Sequence, residues 1–292
     1  MATTMTTPRM EMIPAPPQSL WGWPAVANFA LGGLGAGWYV VAVLAAALER
    51  APGVTAASWA APVLVLAGFA AVAAEAGRPR RGLRVLARVR TSWMSRELLI
   101  GIVFVLLVVA DLAFPLRLHR LLAMGAAVLL AVAQGFIVRR ARGVTAWDVP
   151  LVPLLFVLSG LLSGAGAFLL VEVVAGRAPI PAVVAPVLML IVVTYVVWIR
   201  YLAWSAEDAY RRAVAPLRER RAALVIDVAG YGLPLLLGLL ALAAPAVAGP
   251  LVAPAGALLV AGQVYAKAGL ILAAGRLRPI TLTIALSKRR SS

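Results

Sequence analysis

Residues Val149 to Ala175 read VPLVPLLFVLSGLLSGAGAFLLVEVVA, and Glu172 is the single charged side chain in this stretch. A helix needs about 20 apolar residues to cross the hydrocarbon core of a bilayer. The stretch is too long for a strand of a membrane barrel, and its residues do not alternate between apolar and polar. It therefore predicts a transmembrane helix.

The composition of the whole chain extends this prediction beyond one segment. Of the 292 residues, 63% are hydrophobic and 13% are charged, and the mean hydropathy is +0.97. Soluble domains are about 45–50% apolar and about 25% charged. A single soluble core does not account for so much apolar sequence, whereas helices surrounded by lipid do. We therefore expect an all-α integral membrane protein in contact with membrane lipid.

Eight apolar runs along the chain are long enough to be membrane spans. They are Pro24–Leu48, Ala56–Ala76, Leu98–Phe114, Leu121–Val138, Val149–Ala175, Pro181–Trp204, Ala222–Ala244 and Leu251–Ala274. We expect the eight transmembrane helices to form two four-helix bundles. Residues 1–20 are polar and proline-rich, which predicts a disordered N-terminal tail. Residues 21–278 are then the transmembrane domain, and residues 279–292 are a basic C-terminal tail.

Missing residue types exclude several kinds of cofactor site within this chain. The sequence has no cysteine and one histidine, His119. It therefore has no disulfide, no thiolate-held zinc, no protein-bound iron–sulfur cluster and no haem held by two histidines. We expect no metal site. The net charge of +16 would suggest nucleic acid in a soluble protein. Here the arginines lie between apolar runs, so they indicate membrane topology and no nucleic-acid partner.

Basic residues are divided unequally between the two sets of connections. The loops and tails on the side of both termini hold 20 basic residues. The opposite connections hold four, which are Arg50, Arg117, Arg120 and Arg177. Because cytoplasmic loops carry an excess of Lys and Arg, we expect a multi-pass protein of the cell inner membrane with both termini cytoplasmic. A competing cause of the bias is an acidic partner that docks on the same face.

Polar side chains inside membrane spans are rare and are candidates for function. Five of them, from four spans, fall in the predicted cytoplasmic half: Asn28, Glu75, Gln134, Gln263 and Lys267. Their common depth predicts a shared polar pocket. Each residue taken singly is equally explained by snorkelling or by helix–helix contact.

Small residues are concentrated in the first and fifth spans. The pairs Gly33/Gly37 and Gly160/Gly164 have the spacing that lets membrane helices approach closely. We interpret them as packing sites. The alternative is a backbone left bare for a flat ligand ring.

The connection from Arg78 to Arg90 reads RPRRGLRVLARVR. Leu83, Leu86 and Val89 are spaced to form one face of a short interfacial helix. The connection also predicts a docking platform for a negatively charged protein, and its arginines are Arg80, Arg81, Arg84 and Arg88. The alternative is a solvated loop that touches lipid headgroups.

Several stretches of the chain resemble a known family. EAGRPRRGLRVLARVRTSWMSREL, from Glu75 to Leu98, resembles the connection after the second span in the membrane anchor subunits of the DMSO reductase family. GVTAWDVPLVPLLFVLSGLLSGAG, from Gly143 to Gly166, resembles the entry into the fifth span of the same anchors and of polysulfide reductase membrane subunits. WGWPAVANFALGGLGAG, from Trp21 to Gly37, and the spacing of Gln263 and Lys267 add support.

This resemblance implies the membrane anchor of a molybdoenzyme. Such anchors hold a molybdopterin catalytic subunit and a four-cluster iron–sulfur subunit at the membrane, and they carry no redox cofactor. They exchange electrons between the iron–sulfur subunit and menaquinone or ubiquinone in anaerobic electron transport. The family's quinone site falls by motif on Glu75, Arg78 and the neighbourhood of Arg96. Glu75 stands where DMSO reductase anchors have His and polysulfide-type relatives have an acidic residue, which leaves the quinone type open.

The residue types at this position suit quinone chemistry, because quinone reduction takes up two protons and quinol oxidation releases two. We expect Glu75 to accept or deliver these protons, with Arg78 setting its charge. The other residues expected to bind the quinone are Asn28, Arg96, Gln134, Trp147 and Lys267, of which Trp147 would stack on or wall in the ring.

Two other functional classes suit a chain of this kind. A secondary transporter often has internal repeats with short or broken helices near the membrane midplane. This chain shows no convincing repeat, and its polar residues lie toward one face. An inert structural anchor would have the same spans without a quinone site.

Overall fold

The computed structural model of the protein describes residues 9–13, 15–49, 53–75, 85–179 and 181–283. These residues contain ten α-helices: α1 (Trp23–Glu49), α2 (Gly53–Glu75), α3 (Trp93–Ala113), α4 (Arg117–Arg140), α5 (Val152–Val174), α6 (Pro181–Leu202), α7 (Asp208–Arg218), α8 (Arg220–Ala223), α9 (Leu233–Ala243) and α10 (Ala248–Ala268). The π-helical segment Leu224–Gly232 joins α8 to α9 without a break. A second π-helical segment, Gly269–Ala273, continues α10.

Seven helices are long and apolar enough to cross a membrane: α1, α2, α4, α5, α6, the continuous helix Arg220–Ala243 and the segment Pro245–Ala273. The all-helical architecture predicted from the sequence is confirmed. Every predicted apolar run lies on a helix, but α3 is not among these seven. It has 21 residues and carries charged side chains at Arg96, Glu97 and Asp111. The count of eight spans therefore stays a prediction.

The start of α3 differs from the predicted start of the third span. The helix begins at Trp93, where the Ser92 side chain caps it by accepting a hydrogen bond from the Ser95 backbone N–H. A serine at this position satisfies a backbone donor that the first turn leaves free. The sequence predicts that the span begins at Leu98, because hydropathy alone places its start directly after the last charged residue, Glu97. The earlier start brings Glu97 into the helix.

The two ends of the chain meet on one face of the protein. Arg9–Ile13 (β1) pairs antiparallel with Ile280–Thr283 (β2). Gln18 N–H also donates to the Gly275 carbonyl at 2.7 Å. Within the predicted disordered tail, residues 9–13 therefore form a strand, because a segment far along the chain supplies its hydrogen bonds. The division into a tail and a transmembrane domain stays a prediction. Ends that meet on one face favour an even number of crossings, as the eight-span prediction requires.

Buried apolar side chains form two clusters. One is drawn from α1, α2, α3 and α4, with Tyr39, Phe104 and Leu130 at its centre. The other is drawn mainly from α1, α5, α6, α7, α10 and the helix Arg220–Ala243. Since α1 and α4 also contact α5, the helices form one continuous assembly. Two separate four-helix bundles stay a prediction.

Close contact between α1 and α5 confirms the packing role of the small residues. A Cβ added to Gly37 would overlap the Gly160 carbonyl, and one added to Gly164 would overlap the backbone at Gly37. The two backbones touch where the sequence places glycine on both helices. Large apolar side chains on the outside, such as Leu106 and Leu236, are exposed and suit contact with lipid.

Only the second half of the connection before α3 belongs to the described residues. Residues 76–84, which include Arg78, Arg80, Arg81, Leu83 and Arg84, lie outside them. Residues 85–88 form a single 3₁₀ turn, and a turn follows before Ser92. The predicted interfacial helix therefore stays a prediction.

A short amphipathic helix, α7, covers the same end of the assembly as the termini. Its buried side includes Tyr210 and Leu217. The Tyr210 hydroxyl donates to the carbonyl of Tyr201, and burial raises the pKa of Tyr210 above its ordinary value. The hydroxyl therefore keeps its proton and holds α7 against α6.

Candidate functional site

A buried carboxylate lies between three helices near one end of the assembly. Glu97 on α3 is 5% exposed. Its Oε1 accepts hydrogen bonds from Asn28 Nδ2 on α1 at 2.9 Å and from Gln134 Nε2 on α4 at 3.1 Å. Gln134 Nε2 also lies 3.3 Å from the Asn28 carbonyl oxygen. We call Asn28, Glu97 and Gln134 the carboxylate cluster.

Glycine makes room for this cluster among close-packed helices. A Cβ on Gly32 would overlap the Gln134 amide, and a Cβ on Gly68 would lie 3.1 Å from atoms of Asn28. Larger residues at these positions would displace the amides that hold Glu97. Some of the small residues in the first two spans therefore serve the polar cluster as well as helix packing.

A cleft of about 510 Å³ opens at the end of the assembly, one helical turn beyond the cluster. Its lining is aromatic, cationic and apolar, and consists of Trp21, Arg90, Thr91, Trp93, Met94, Arg96, Ile137, Arg140 and Ala141. Trp93 is one turn from Glu97 on α3, and Ile137 is one turn from Gln134 on α4. The cluster therefore lies directly below the floor of the cleft. The volume is within the usual range for small-molecule sites, about 300–1,000 Å³.

The cationic wall of the cleft is held rigidly. Arg96 Nε donates to the Val89 carbonyl at 2.9 Å, and its Nη2 donates to the Arg90 carbonyl at 2.7 Å. The guanidinium lies 4.5 Å from the centre of the Trp93 ring, which stacks on Phe136 at 4.4 Å. Arg96 therefore orients the loop before α3 and gives the cleft its positive potential.

The opposite wall of the cleft is Trp21, and Trp147 packs behind it. Trp21 stacks on Trp147, with ring centres 4.7 Å apart. Trp147 is 2% exposed, and its Nε1 donates to the Leu270 carbonyl at 2.9 Å. Of the two rings, only Trp21 lines the cleft. Trp147, which we expected to stack on or wall in the quinone ring, packs behind Trp21 and does not itself line the cleft.

Comparison with known proteins adds the family. The sequence profile of the family described as polysulphide reductase, NrfD, matches residues 12–279. The chain belongs to this family. No curated protein sequence matches the chain. Membership of the polysulphide reductase NrfD family makes the protein a membrane subunit of a respiratory oxidoreductase.

The predicted site residues of this NrfD-family chain do not all lie together. Asn28 and Gln134 come together in the carboxylate cluster. Glu75 is exposed at the end of α2, and its Oε1 is 3.6 Å from the position of a Cβ on Gly22, which adjoins Trp21. Glu75 therefore lies near Trp21 without itself lining the cleft, while Arg78 lies outside the described residues.

Lys267, on α10, is buried against α1 near Gln134. It is 4% exposed, and its Nζ lies 3.3 Å from the position of a Cβ on Gly33. Gln134 Oε1 lies 3.6 Å from the same position. The lysine therefore adjoins the carboxylate cluster without lining the large cleft.

Glu97 is the functional candidate that the sequence reasoning missed. Hydropathy alone places the start of the third span at Leu98, one residue after Glu97. A signal is present in the sequence, since Glu97 is the next-to-last residue of the stretch from Glu75 to Leu98 that resembles the family. Hydropathy does not distinguish whether a charged residue at the start of an apolar run faces the helix bundle or water.

Among the described residues, two ion pairs lie at the opposite end of the assembly. Arg120 Nε lies 3.1 Å from Asp111 Oδ2, and the Arg177 guanidinium contacts both oxygens of Glu172 at 2.5 and 2.6 Å. The hydrogen bond from Glu172 raises the pKa of Arg177 above its ordinary value. These pairs tie helix ends together. Within the described part of the chain, no group of three or more His, Cys, Asp or Glu side chains is placed to hold a metal.

Proposed function

We propose that this protein is the quinone-reactive membrane subunit of a molybdopterin and iron–sulfur oxidoreductase. It exchanges electrons between membrane quinone or quinol and an iron–sulfur subunit. The observation that carries the proposal is the position of Glu97, a buried carboxylate held by two amides directly below an aromatic and cationic cleft. A purely structural anchor has no need of a carboxylate in that place, where burial of a charge is costly.

The geometry suits proton-coupled quinone chemistry. Reduction of a quinone to a quinol consumes two electrons and two protons, and oxidation returns them. The head group would lie between Trp21 and Trp93, with Arg96 supplying positive potential. Glu97 would accept or deliver a proton at the quinone oxygen that faces the cleft floor. Glu75, exposed near Trp21, would exchange protons between the site and water, with Arg78 beside it in sequence.

Filling the cleft tests this proposal. Ala141→Trp places a large ring in the cleft, so we expect it to reduce quinone bound per purified protein and quinone-linked turnover by at least about tenfold. Leu236→Trp, on an exposed face of α9, is the matched control and should leave both unchanged. Quinone is measured by extraction and chromatography. Normal quinone binding in the Ala141→Trp protein would show that the cleft is not the quinone site.

We propose that the same end of the protein docks the iron–sulfur subunit and faces the cytoplasm. Arg88 and Arg140 are exposed there, beside the cleft. Docking next to the cleft would keep the distance for electron transfer short. The excess of basic residues in the connections on this side supports the cytoplasmic orientation. The molybdopterin subunit would attach through the iron–sulfur subunit.

Charge reversal tests both parts of this proposal. Changing Arg80, Arg84 and Arg88 together to Glu should release the catalytic subunits from membranes, because attraction becomes repulsion. Release should increase with salt, which screens the remaining favourable charges. Fractionation measures the released subunits, and the compartment that receives them reports the face. If the subunits stay bound to the membrane, the arginines set the membrane topology and do not dock a partner. If the subunits are released into the periplasm, the proposed cytoplasmic orientation is wrong.

A further inference from the structure

A second polar cleft lies between α5, α6, α10 and the helix Arg220–Ala243. Its volume is about 20 Å³, enough for one particle of the size of a water molecule. Its polar lining includes Ser159, Gln263 and Lys267, which are 8%, 1% and 4% exposed. We call these three residues the donor cluster. The neighbouring walls are apolar and include Leu155, Phe156 and Leu270.

Each member of the donor cluster has a hydrogen-bond donor without a partner. Ser159 Oγ is buried and has no hydrogen-bond partner among the described residues. Gln263 Nε2 has no hydrogen bond of normal geometry there, although the Tyr231 hydroxyl lies close to the Gln263 side chain. The Lys267 ammonium likewise has no hydrogen bond or ion pair within the part of the chain that the structure describes. Buried polar groups are nearly always paired, so three such donors at one cleft indicate an absent acceptor.

The carboxylates near the cleft are engaged elsewhere. Asp227 Oδ1, on the helix Arg220–Ala243, accepts a hydrogen bond from Trp198 Nε1 at 3.1 Å. Glu97 is held by Asn28 and Gln134. A protonated Lys267 would have no counter-ion among the described residues, which is costly in a low-dielectric interior. A neutral water would accept hydrogen bonds but would not offset this charge.

We propose that the donor cluster binds a small monovalent anion of the size of chloride. The ion would accept hydrogen bonds from Ser159 Oγ and Gln263 Nε2 and would pair with the Lys267 ammonium. The apolar walls exclude larger oxyanions and strengthen the attraction by keeping the local dielectric low. The site is separate from the cleft of the proposed function and does not depend on it. Two π-helical segments border it, through Tyr231 and Leu270, and such segments are frequent at functional sites.

Halide-dependent stability tests the proposal on the full-length protein in detergent. Thermal unfolding is measured in sodium gluconate with increasing chloride or bromide at constant ionic strength. We expect the Tm to rise with saturation, by about 3–6 °C when the halide is at about ten times its Kd. Bromide and chloride should behave alike because their sizes are similar. An equal Tm in gluconate, chloride and bromide would overturn the proposal.

Variants locate the effect at the donor cluster. Lys267→Met should abolish the rise in Tm caused by halide. Lys288→Met, at the only other lysine of the chain, is the matched control and should keep it. Ser159→Ala retains the cation and should weaken the apparent halide affinity by about tenfold, which tests the site even if Lys267→Met fails to fold. A halide effect that persists unchanged in Lys267→Met or Ser159→Ala would show that halide acts elsewhere.

Discussion

Replacement of Glu97 by Gln is expected to slow quinone-linked turnover by at least about tenfold, and by as much as the factor of about 10²–10⁴ that is typical of a general base. Glutamine has the same shape, and its carbonyl oxygen can still accept the hydrogen bonds from Asn28 and Gln134. The change removes only the group that takes up or releases a proton. Turnover is measured with a soluble quinone or quinol and the intact complex.

Two controls separate a proton-transfer role from a structural one. Activity with an artificial dye that reacts directly with the catalytic subunit should be unchanged in Glu97→Gln, because assembly is intact. Glu75→Gln tests the exposed carboxylate in the same assay and should slow turnover less, since Glu75 is open to water that can replace it. If quinone-linked activity survives Glu97→Gln but not Glu75→Gln, the exposed carboxylate is the proton acceptor. If dye activity falls equally in Glu97→Gln, Glu97 has a structural role.

A second large effect is expected at the contact between α1 and α5. Gly37→Ala should lower the Tm by about 3–10 °C, because its Cβ would overlap the Gly160 carbonyl and force the two helices apart. Overpacking of this kind costs about 1–3 kcal/mol. Backbone on both sides leaves no flexible side chain to move aside. Thermal unfolding of the purified protein in detergent provides the measurement.

Gly125→Ala is the matched control for this change. Gly125 lies in α4, and a Cβ there would meet no atom of the described residues within 4 Å. Alanine is a better helix former than glycine by about 1 kcal/mol, so this variant should keep or slightly raise the Tm. Equal losses of stability in both variants would mean that glycine flexibility, and not close contact, explains the residues in α1.

The membrane architecture could be predicted because it depends on properties that are local along the chain. A bilayer requires about 20 apolar residues in each helix, so the apolar runs by themselves predict the helices. The small-residue pairs of α1 and α5 were predicted to be packing sites for a similar reason, since only small side chains let two backbones touch. That the two helices pack against each other is seen only in the structure. Absent cysteine and a single histidine limited the cofactor chemistry without any structure.

The site was predicted less completely, because it is assembled from residues far apart in the chain. Asn28 and Gln134 were expected in one pocket from their depth alone, and the structure joins them through Glu97. Trp147 was expected at the ligand, but tertiary packing places Trp21 in front of it. Depth along a helix can be counted from the sequence, whereas the direction in which a side chain points depends on the neighbouring helices.

The sequence by itself determined that this chain is helical, is surrounded by lipid and has polar residues concentrated near one end. Hydrophobic length and residue type suffice for these conclusions, because the bilayer acts on every helix in the same way. Only the tertiary structure decided that Glu97 is buried between three helices, that Glu75 is exposed near Trp21, and that residues 9–13 and 280–283 pair as strands. These outcomes depend on contacts between residues distant in sequence, where a single turn of a helix or one partner strand decides between burial and exposure.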